Sequence, residues 1–319
     1  MTNAMLHDYV VVVDRGNVCL RVYMNSALVL TIALPESPWR VAHKPHTDLV
    51  AVTSESTRVI IIDICTGQVV RKQQCGMRTN AVTFSRDGTG MYVGGKDSVE
   101  VWNTESADAS QWRRLQCLYH CYNEWVYDAS VTHDNATIVA GDCNGTATVW
   151  VVNSTTQVYE KHQRITPTHN GRGVFGAAIT GDGSHIFTAT CEGLHMFSKK
   201  ASGEYAHVGT VAGSHSAPIR LSPDGSMLTV KDKVYCTSDL TLLHDMKRDR
   251  QYFLCGGFSS DGSLVAVSAV AETCVYRTSD GSLVNKYDLS SDVTDVCFVS
   301  RRAPARMCAF SRIVRQCVE

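Results

Sequence analysis

Between Asn80 and Asn103 the chain reads NAVTFSRDGTGMYVGGKDSVEVWN. This segment contains three short runs rich in β-branched and aromatic residues, separated by Asp-Gly and by Gly-Lys-Asp. Runs of this length and composition, with glycine and aspartate between them, are typical of β-strands joined by tight turns. We therefore predict three strands here, followed after a polar loop by a fourth strand in Trp112–Cys117.

The same pattern recurs along the chain. The sequence of an apolar residue, two further positions and Asp-Gly occurs four times, Asp134-Asn135 gives a fifth copy, and a degenerate copy starts at His43. The apolar anchor residues after that copy are Phe84, Val131, Ile179, Leu221, Phe258 and Phe298. They lie 47, 48, 42, 37 and 40 residues apart, which gives a mean period of about 43 residues. Four short strands in every such period are typical of a β-propeller blade.

The repeat predicts an all-β fold, a single β-propeller over residues 1–319 with seven four-stranded blades. Three strands at about 9–34 and a last inner strand at 293–299 would together form the blade that closes the ring. Pairing of the two chain ends hides the sheet edges that an open propeller exposes. Residues 306–318 are surplus in this arrangement although parts of them resemble strands, so eight blades is the alternative.

Composition narrows the functional classes. The chain has 319 residues, 30 basic and 31 acidic, and its net charge of −1 argues against bulk nucleic acid or an anionic membrane as the main partner. No apolar run is long enough for a membrane-spanning helix. The first residues lack the pattern of a signal peptide, and the 13 cysteines are scattered, so we expect an intracellular protein, cytoplasmic or nuclear, with reduced thiols.

Motifs for catalysis or metal binding are weak in this sequence. It contains no nucleophile elbow, P-loop or dinucleotide fingerprint. The nearest metal pattern is Cys117-Leu-Tyr-His120-Cys121, which lacks a second ligand pair at zinc-finger spacing. The carboxylates that recur at one position of the repeat are best explained as turn residues that bond their own backbone. These are Asp87, Asp134, Asp182, Asp224 and Asp261. We expect no metal, no cofactor and no catalytic residue.

Two segments resemble the WD-repeat family of propellers. These are Gly94–Asn103 and Gly141–Trp150, which are similar to the second strand, turn and third strand of a WD blade. The Trp-Asp and Gly-His dipeptides of that family are missing, so its His–Asp–Ser–Trp hydrogen-bond tetrad is expected to be incomplete in most blades. The phosphoinositide-binding propellers carry Phe-Arg-Arg-Gly, whereas this chain has Ser300-Arg-Arg-Ala, which argues against lipid recognition.

The resemblance implies where a partner would bind. In WD-repeat propellers the inner strand of each blade lines the central channel and begins at its rim. The positions four and six residues before each anchor would therefore surround the channel mouth. The predicted partner-binding rim consists of Trp39, Arg78, Asn80, Trp125, Tyr127, Phe175, His215, Tyr252 and Asp292. The alternative is that the large side chains at these positions are buried in place of the missing tetrad.

Together these observations favour a non-catalytic scaffold that binds a partner peptide or domain through the rim, as a subunit of a multiprotein complex. Two alternatives stay open. One is a structural subunit that packs through its blade walls, and the other is a propeller enzyme, similar to hydrolases or lactonases, with its site in the channel. The sequence does not identify the partner.

Overall fold

The computed structural model describes residues 8–120, 124–167, 172–246, 253–289 and 291–300. The first three strands, which belong to the closing blade, are β1 (Asp8–Asp14), β2 (Cys19–Met24) and β3 (Ala27–Ala33). Blade 1 contains β4 (Pro38–His43), β5 (Leu49–Ser54), β6 (Arg58–Asp63) and β7 (Gln68–Gln74). Blade 2 contains β8 (Thr79–Phe84), β9 (Gly90–Gly95), β10 (Ser98–Asn103) and β11 (Arg113–Tyr119). A short 3-10 helix (Ala109–Gln111) precedes β11.

Four further blades follow in chain order. Blade 3 contains β12 (Val126–Val131), β13 (Thr137–Asp142), β14 (Ala147–Val152) and β15 (Tyr159–Ile165). Blade 4 contains β16 (Gly176–Ile179), β17 (His185–Ala189), β18 (Gly193–Lys199) and β19 (Tyr205–Ala212). Blade 5 contains β20 (Ile219–Leu221), β21 (Met227–Val230), β22 (Lys233–Cys236) and β23 (Leu242–Asp245). Blade 6 contains β24 (Phe253–Phe258), β25 (Leu264–Ala269), β26 (Glu272–Arg277) and β27 (Leu283–Asp288).

Blade 7 joins the two ends of the described chain. Its strand order is β28-β1-β2-β3, where β28 (Val293–Ser300) is the inner strand and pairs antiparallel with β1. The described residues therefore form seven four-stranded antiparallel blades, and the predicted all-β propeller with seven blades is confirmed. The segment 306–318, which the alternative of eight blades would need, lies outside the described residues.

The hydrophobic core lies between neighbouring blades. One cluster, for example, joins Val11 and Leu20 of blade 7 to Val50 and Ile60 of blade 1, and each of these side chains is at most 1% exposed. Successive side chains of a strand point to opposite faces of its sheet, so the middle strands of each blade contact both neighbours. Burying one such aliphatic side chain stabilises the fold by about 1.5–3 kcal/mol. Packing between blades thus holds the ring together.

The turn between the first two strands of a blade is the most regular local structure. In blade 2 the Ser85 hydroxyl donates to Asp87 Oδ1 at 2.6 Å, and the same carboxylate oxygen accepts from the Thr89 backbone N–H at 2.9 Å. Gly88 follows with a φ of 71°, a conformation that glycine adopts without strain. Equivalent bonds form at Asp134, Asp182, Asp224 and Asp261. The predicted turn role of the recurring carboxylates is confirmed.

Candidate functional site at the channel rim

The inner strands are irregular close to their start, at the rim of the channel. In β12, Val126 pairs with Asp142 and Asp128 pairs with Gly141, so Tyr127 is an extra residue, a β-bulge. The register shifts at the aligned position of four other inner strands. These shifts involve Asn80 in β8, Leu254 in β24, Thr294 in β28, and both Trp39 and Arg40 in β4. A bulge bends its strand and redirects the side chain, so the position four residues before the anchor is the point where each inner strand turns at the rim.

Two of the predicted rim aromatics form one platform. The rings of Tyr127 in blade 3 and Phe175 in blade 4 are parallel to within 5°, and their centroids are 5.3 Å apart. Both side chains are half-exposed. Gly173 lies directly beneath, since a Cβ at this position would stand 3.2 Å from the Tyr127 ring. The pair presents a flat aromatic surface on two rigid blades.

Trp125 lies two residues before Tyr127 in the chain and is also partly exposed. Its backbone N–H donates to Cys143 Sγ at 3.3 Å, and the Cys143 thiol donates to Glu124 Oε2 at 2.6 Å. Burial, followed by the Glu124 carboxylate, raises the pKa of the Cys143 thiol to about 11. At neutral pH this sulfur is therefore a neutral thiol that orders the backbone of the rim.

A second aromatic position lies across the rim in blade 1. The Trp39 ring is contacted by two guanidinium groups, that of Arg15 at 4.7 Å and that of Arg40 at 5.9 Å from the ring centroid. Arg15 is also paired with Glu55 at 2.5 Å. Such cation–π contacts stabilise exposed sites by about 0.5–1 kcal/mol. They hold the indole ring in place while leaving it half-exposed.

Two other predicted rim residues have buried side chains, contrary to a partner-binding role. Asn80 is 7% exposed and donates from Nδ2 to the Val126 carbonyl at 3.0 Å, which links blade 2 to blade 3. His215 is 4% exposed, with one ring nitrogen 3.0 Å from the Tyr235 hydroxyl and the other 2.8 Å from the Gly213 carbonyl. Burial lowers the pKa of His215. At these two positions the side chains are buried, as the alternative interpretation of the rim pattern predicts.

The remaining three predicted positions differ among themselves. Arg78 and Asp292 are exposed, and Asp292 accepts through its backbone carbonyl from the Arg15 N–H at 2.9 Å. Tyr252 lies outside the described residues. The predicted rim is thus a mixture of aromatic surface, exposed charge and buried structural contacts.

The sequence analysis missed a charged cluster inside the channel. Asp128 of blade 3 is 3% exposed, and both its carboxylate oxygens accept from Arg220 Nη1 of blade 5, at 3.0 and 3.2 Å. Arg40 of blade 1 also acts electrostatically on this carboxylate and donates to the Thr294 carbonyl at 3.0 Å. Burial raises the pKa of Asp128, and the two guanidinium groups oppose that shift.

These carboxylates satisfy the backbone of the inner strands. Each inner strand is the edge of its sheet, so part of its N–H groups face the channel without a strand partner. Asp128 Oδ2 accepts from the N–H groups of Ala177 at 3.3 Å and Ile219 at 3.2 Å. Asp295 accepts in the same way from Val41 at 2.9 Å. The channel carboxylates therefore act as substitutes for a missing strand.

One signal in the repeat would have revealed this cluster. The position three residues before each anchor is charged in three of seven blades, at Arg40, Asp128 and Asp295, although charged residues make up only 19% of the chain. Charge on an inner strand is unusual, since it must be buried with a partner. The predicted rim comprised the positions four and six residues before the anchor and did not include this one.

Blade 3 contains a buried polar pair. His120, which precedes that blade, has its Nε2 at 2.6 Å from Asp142 Oδ2, and both side chains are fully buried. The His120 ring lies 5.5 Å from the Trp150 ring. Cys121, which the weak metal pattern would require, lies outside the described residues, and nowhere in the described ranges do three or more potential metal ligands come together. His120 is thus bound to Asp142 within the blade.

Comparison with known proteins supports the fold. Neither a family model nor a curated protein matches this chain. Among solved structures, it is similar to a functionally unknown protein from Desulfotomaculum acetoxidans DSM 771, with a TM-score of 0.71 and 15% sequence identity. The match covers 91% of this chain and 98% of the other. Within the described part of the chain, no helix has the length and apolar character needed to cross a membrane.

Proposed function

We propose that this propeller is a non-catalytic interaction scaffold that binds a partner peptide or domain across the rim. The observation that carries the proposal is the stacked, partly exposed pair of Tyr127 and Phe175. Exposed aromatic side chains on rigid elements supply contact area at a small cost in conformational entropy, and such residues dominate the binding energy of many interfaces. The resemblance of the repeats to WD propellers points to the same surface.

The rim also offers charged groups on the blades that precede the aromatic platform in the ring. Arg78 and Asp292 are exposed, and Arg15 lies over the Trp39 ring. Charges at the edge of an interface mainly fix the register of a partner and increase the association rate. We infer a partner segment with an apolar or aromatic residue for the platform and polar residues beside it.

Binding through the blade walls is the second candidate. Large apolar side chains are exposed on every blade, and nearly all of them lie on the outer strands. They are Leu28, Val69, Val70, Leu115, Tyr119, Val158, Val208, Leu242, Leu243 and Leu283. A groove of about 430 Å³ between blades 4 and 5, lined in part by Met196, Val208 and Leu240, is the most marked feature of this wall. The even distribution around the ring favours the rim, because singly exposed apolar residues are common on protein surfaces.

The third candidate, a hydrolase-like site in the channel, has weaker support. Asp128 and Asp295 are the carboxylates at its centre, and both already accept hydrogen bonds from backbone N–H groups. Asp128 is also paired with Arg220. A general acid or base must be able to exchange a proton with a substrate, whereas these groups have structural partners.

The test compares rim and wall variants. Quantitative affinity capture from native extract is performed with the wild type, Trp125→Ala, Tyr127→Ala and the wall variant Val208→Ala, and the melting temperature of each is measured. We expect all four to stay folded. We expect the two rim variants to lose recovery of the same partner by about tenfold or more, which corresponds to roughly 1.4 kcal/mol.

Val208→Ala is the matched control, since it truncates an exposed apolar side chain on the other surface. Loss of the partner with Val208→Ala but not with the rim variants would move the interface to the blade wall. Early unfolding of both rim variants would show that these aromatics belong to the core.

A further inference from the structure

A cavity lies at the other end of the channel, next to the Asp-Gly turns. It has a volume of about 260 Å³ and is enclosed by the inner strands and following turns of blades 2 to 5. Most of its wall is apolar, including Phe84, Val131, Ile179 and Leu221. Small-molecule sites in proteins are typically concave and apolar with a few polar groups that orient the ligand. This cavity has that character, at a size suited to a small ligand.

Its charged lining groups are all basic. They are Arg86 of blade 2, His133 of blade 3 and Arg220 of blade 5, and no aspartate or glutamate of the described chain belongs to the lining. Burial, followed by the charge of Arg86, lowers the pKa of His133, so its imidazole is neutral at pH 7. At that pH the lining therefore carries two guanidinium groups, of which that of Arg220 is paired with Asp128.

Arg86 forms the outer wall of the cavity. Its Nη1 lies 3.0 Å from His133 Nδ1 and donates to the Pro223 carbonyl at 3.2 Å, so the side chain reaches from blade 2 to blade 5. Both contacts are with neutral groups. No carboxylate of the described residues lies within ion-pairing distance of Arg86, although many arginines of this chain have such a partner. A guanidinium held over a cavity by neutral groups keeps its full attraction for an anion.

None of the described carboxylates near the site pairs with Arg86, whereas Asp128 pairs with Arg220. The turn aspartates at the same end each bond within their own turn, as Asp182 does with the Thr180 hydroxyl and the Ser184 N–H. Arg220 lies on the inner wall, where its Nη1 contacts Asp128 on the side of the channel centre. Ser130, also in the lining, accepts from the Ile179 N–H at 3.3 Å, and its own hydroxyl proton can point toward a ligand.

We infer that this cavity binds a small organic acid, with its carboxylate between Arg86 and Arg220 and a short branched apolar body against the aliphatic wall. The geometry favours a carboxylate with an apolar body over a bare oxyanion. A bare oxyanion would contact the guanidinium groups but would leave most of the apolar wall without a partner. The site is separate from the rim, since it lies at the opposite end of the channel. It therefore does not depend on the proposed scaffold function.

The test is a titration of the full-length protein at pH 7 with four probes. Binding is measured by calorimetry and by the shifts of amide NMR signals. The probes are isobutyrate, 3-methylbutyrate, the uncharged isobutyramide and inorganic phosphate. We expect saturable binding of the two carboxylates, at least tenfold weaker binding of isobutyramide and of phosphate, and amide shifts concentrated near Gly181 and Gly225, which line the cavity.

Two variants place the site. Arg86→Gln removes an exposed guanidinium and should weaken carboxylate binding at least tenfold with an unchanged melting temperature. Because Arg220→Gln alone would leave Asp128 without its partner, the double variant Asp128→Asn/Arg220→Gln is used instead and should also weaken binding. The matched control Arg78→Gln removes an exposed guanidinium at the rim and should bind as the wild type does.

Three results would overturn the inference. They are the absence of saturable binding by either carboxylate, equal binding of isobutyrate and isobutyramide, and carboxylate binding that Arg86→Gln and the double variant leave intact. Tighter binding of phosphate than of isobutyrate would also overturn it, since the apolar body would then contribute nothing.

Discussion

At one end of the channel, five blades use the same turn, whereas at the other end no two blades use the same side chain. The turn end repeats a hydroxyl, an aspartate and a residue with positive φ in blades 2 to 6. At the rim, the aligned bulge positions carry a different residue in each blade, from Trp39 in blade 1 to Thr294 in blade 7. Repetition of the same turn in five blades indicates that the turn is a structural requirement of the blade. Variation at an aligned backbone position indicates that the fold leaves the side chain free there, which supports the proposed role of the rim in binding.

The centre of the channel differs from both ends because its charged side chains are buried. We expect the largest loss of unfolding free energy for a substitution there. Asp128→Ala removes the partner of Arg220 and the carboxylate oxygen that accepts from two inner-strand N–H groups. Breaking a buried ion pair by removing one partner costs about 3–5 kcal/mol, and we expect about 3 kcal/mol here because Arg220 is partly exposed. Urea unfolding measures the change. A loss below about 1 kcal/mol would mean that water replaces the carboxylate and that the channel centre tolerates change as the rim does.

At the turn end, Ser222→Ala should have the next largest effect. The Ser222 hydroxyl is buried, donates to Asp224 at 2.6 Å and accepts from the Met227 N–H at 2.9 Å. Its removal leaves that partly buried N–H without this acceptor, which costs about 1–3 kcal/mol. The matched control is Ser226→Ala, an exposed hydroxyl of the same turn, with an expected loss below about 0.5 kcal/mol. Equal losses in the two variants would show that the shared turn is not the stabilising feature.

Acidification should remove the stabilisation that the turn aspartates contribute. Hydrogen bonds from Thr180 and Ser184 lower the pKa of Asp182 to about 2, below its value of about 3.9 in an unfolded chain. A carboxyl group whose pKa is lower in the folded state stabilises above the unfolded value, and that stabilisation is lost as the pH falls through about 2. Because Asp182 is near the surface, we expect roughly 1 kcal/mol after screening by solvent. Unfolding free energies of the wild type and Asp182→Asn, measured from pH 6 to pH 2, should converge on acidification. Parallel pH profiles would exclude this carboxylate as a source of acid sensitivity.

At the rim, Phe175→Ala should have the smallest effect on stability. Its ring is half-exposed and stacks on Tyr127, and such a pair contributes about 0.5–1.5 kcal/mol. We expect a loss of no more than about 1 kcal/mol by urea unfolding. Phe175→Leu, which keeps an apolar side chain without the flat ring, is the matched control and should lose less. A loss above about 3 kcal/mol for Phe175→Ala, as for a core aromatic, would mean that the rim is as structurally constrained as the turn end.

In the channel, the sequence predicted which positions lie at the rim but not which of their side chains are buried. The spacing of the repeat aligned the rim positions with the anchors, because the strand and turn pattern is local and repeats with the blade. The bulges at these positions were not predicted. Counting alone did not separate Tyr127, which is half-exposed, from Asn80, which is buried against the Val126 carbonyl. That difference depends on how closely the next blade approaches, and the approach depends on residues about 45 positions away in the chain.

The amino-acid sequence by itself determined the propeller fold, the four strands of each blade and the Asp-Gly turns, and it favoured seven blades with eight as the alternative. These features depend on contacts between residues a few positions apart, for which composition and spacing are sufficient. Only the tertiary structure decided which polar groups meet inside the channel. Asp128 and Arg220 are separated by 92 residues and become partners because the closed ring brings blade 3 opposite blade 5. A contact of this kind depends on the geometry of the whole ring, which no local pattern encodes.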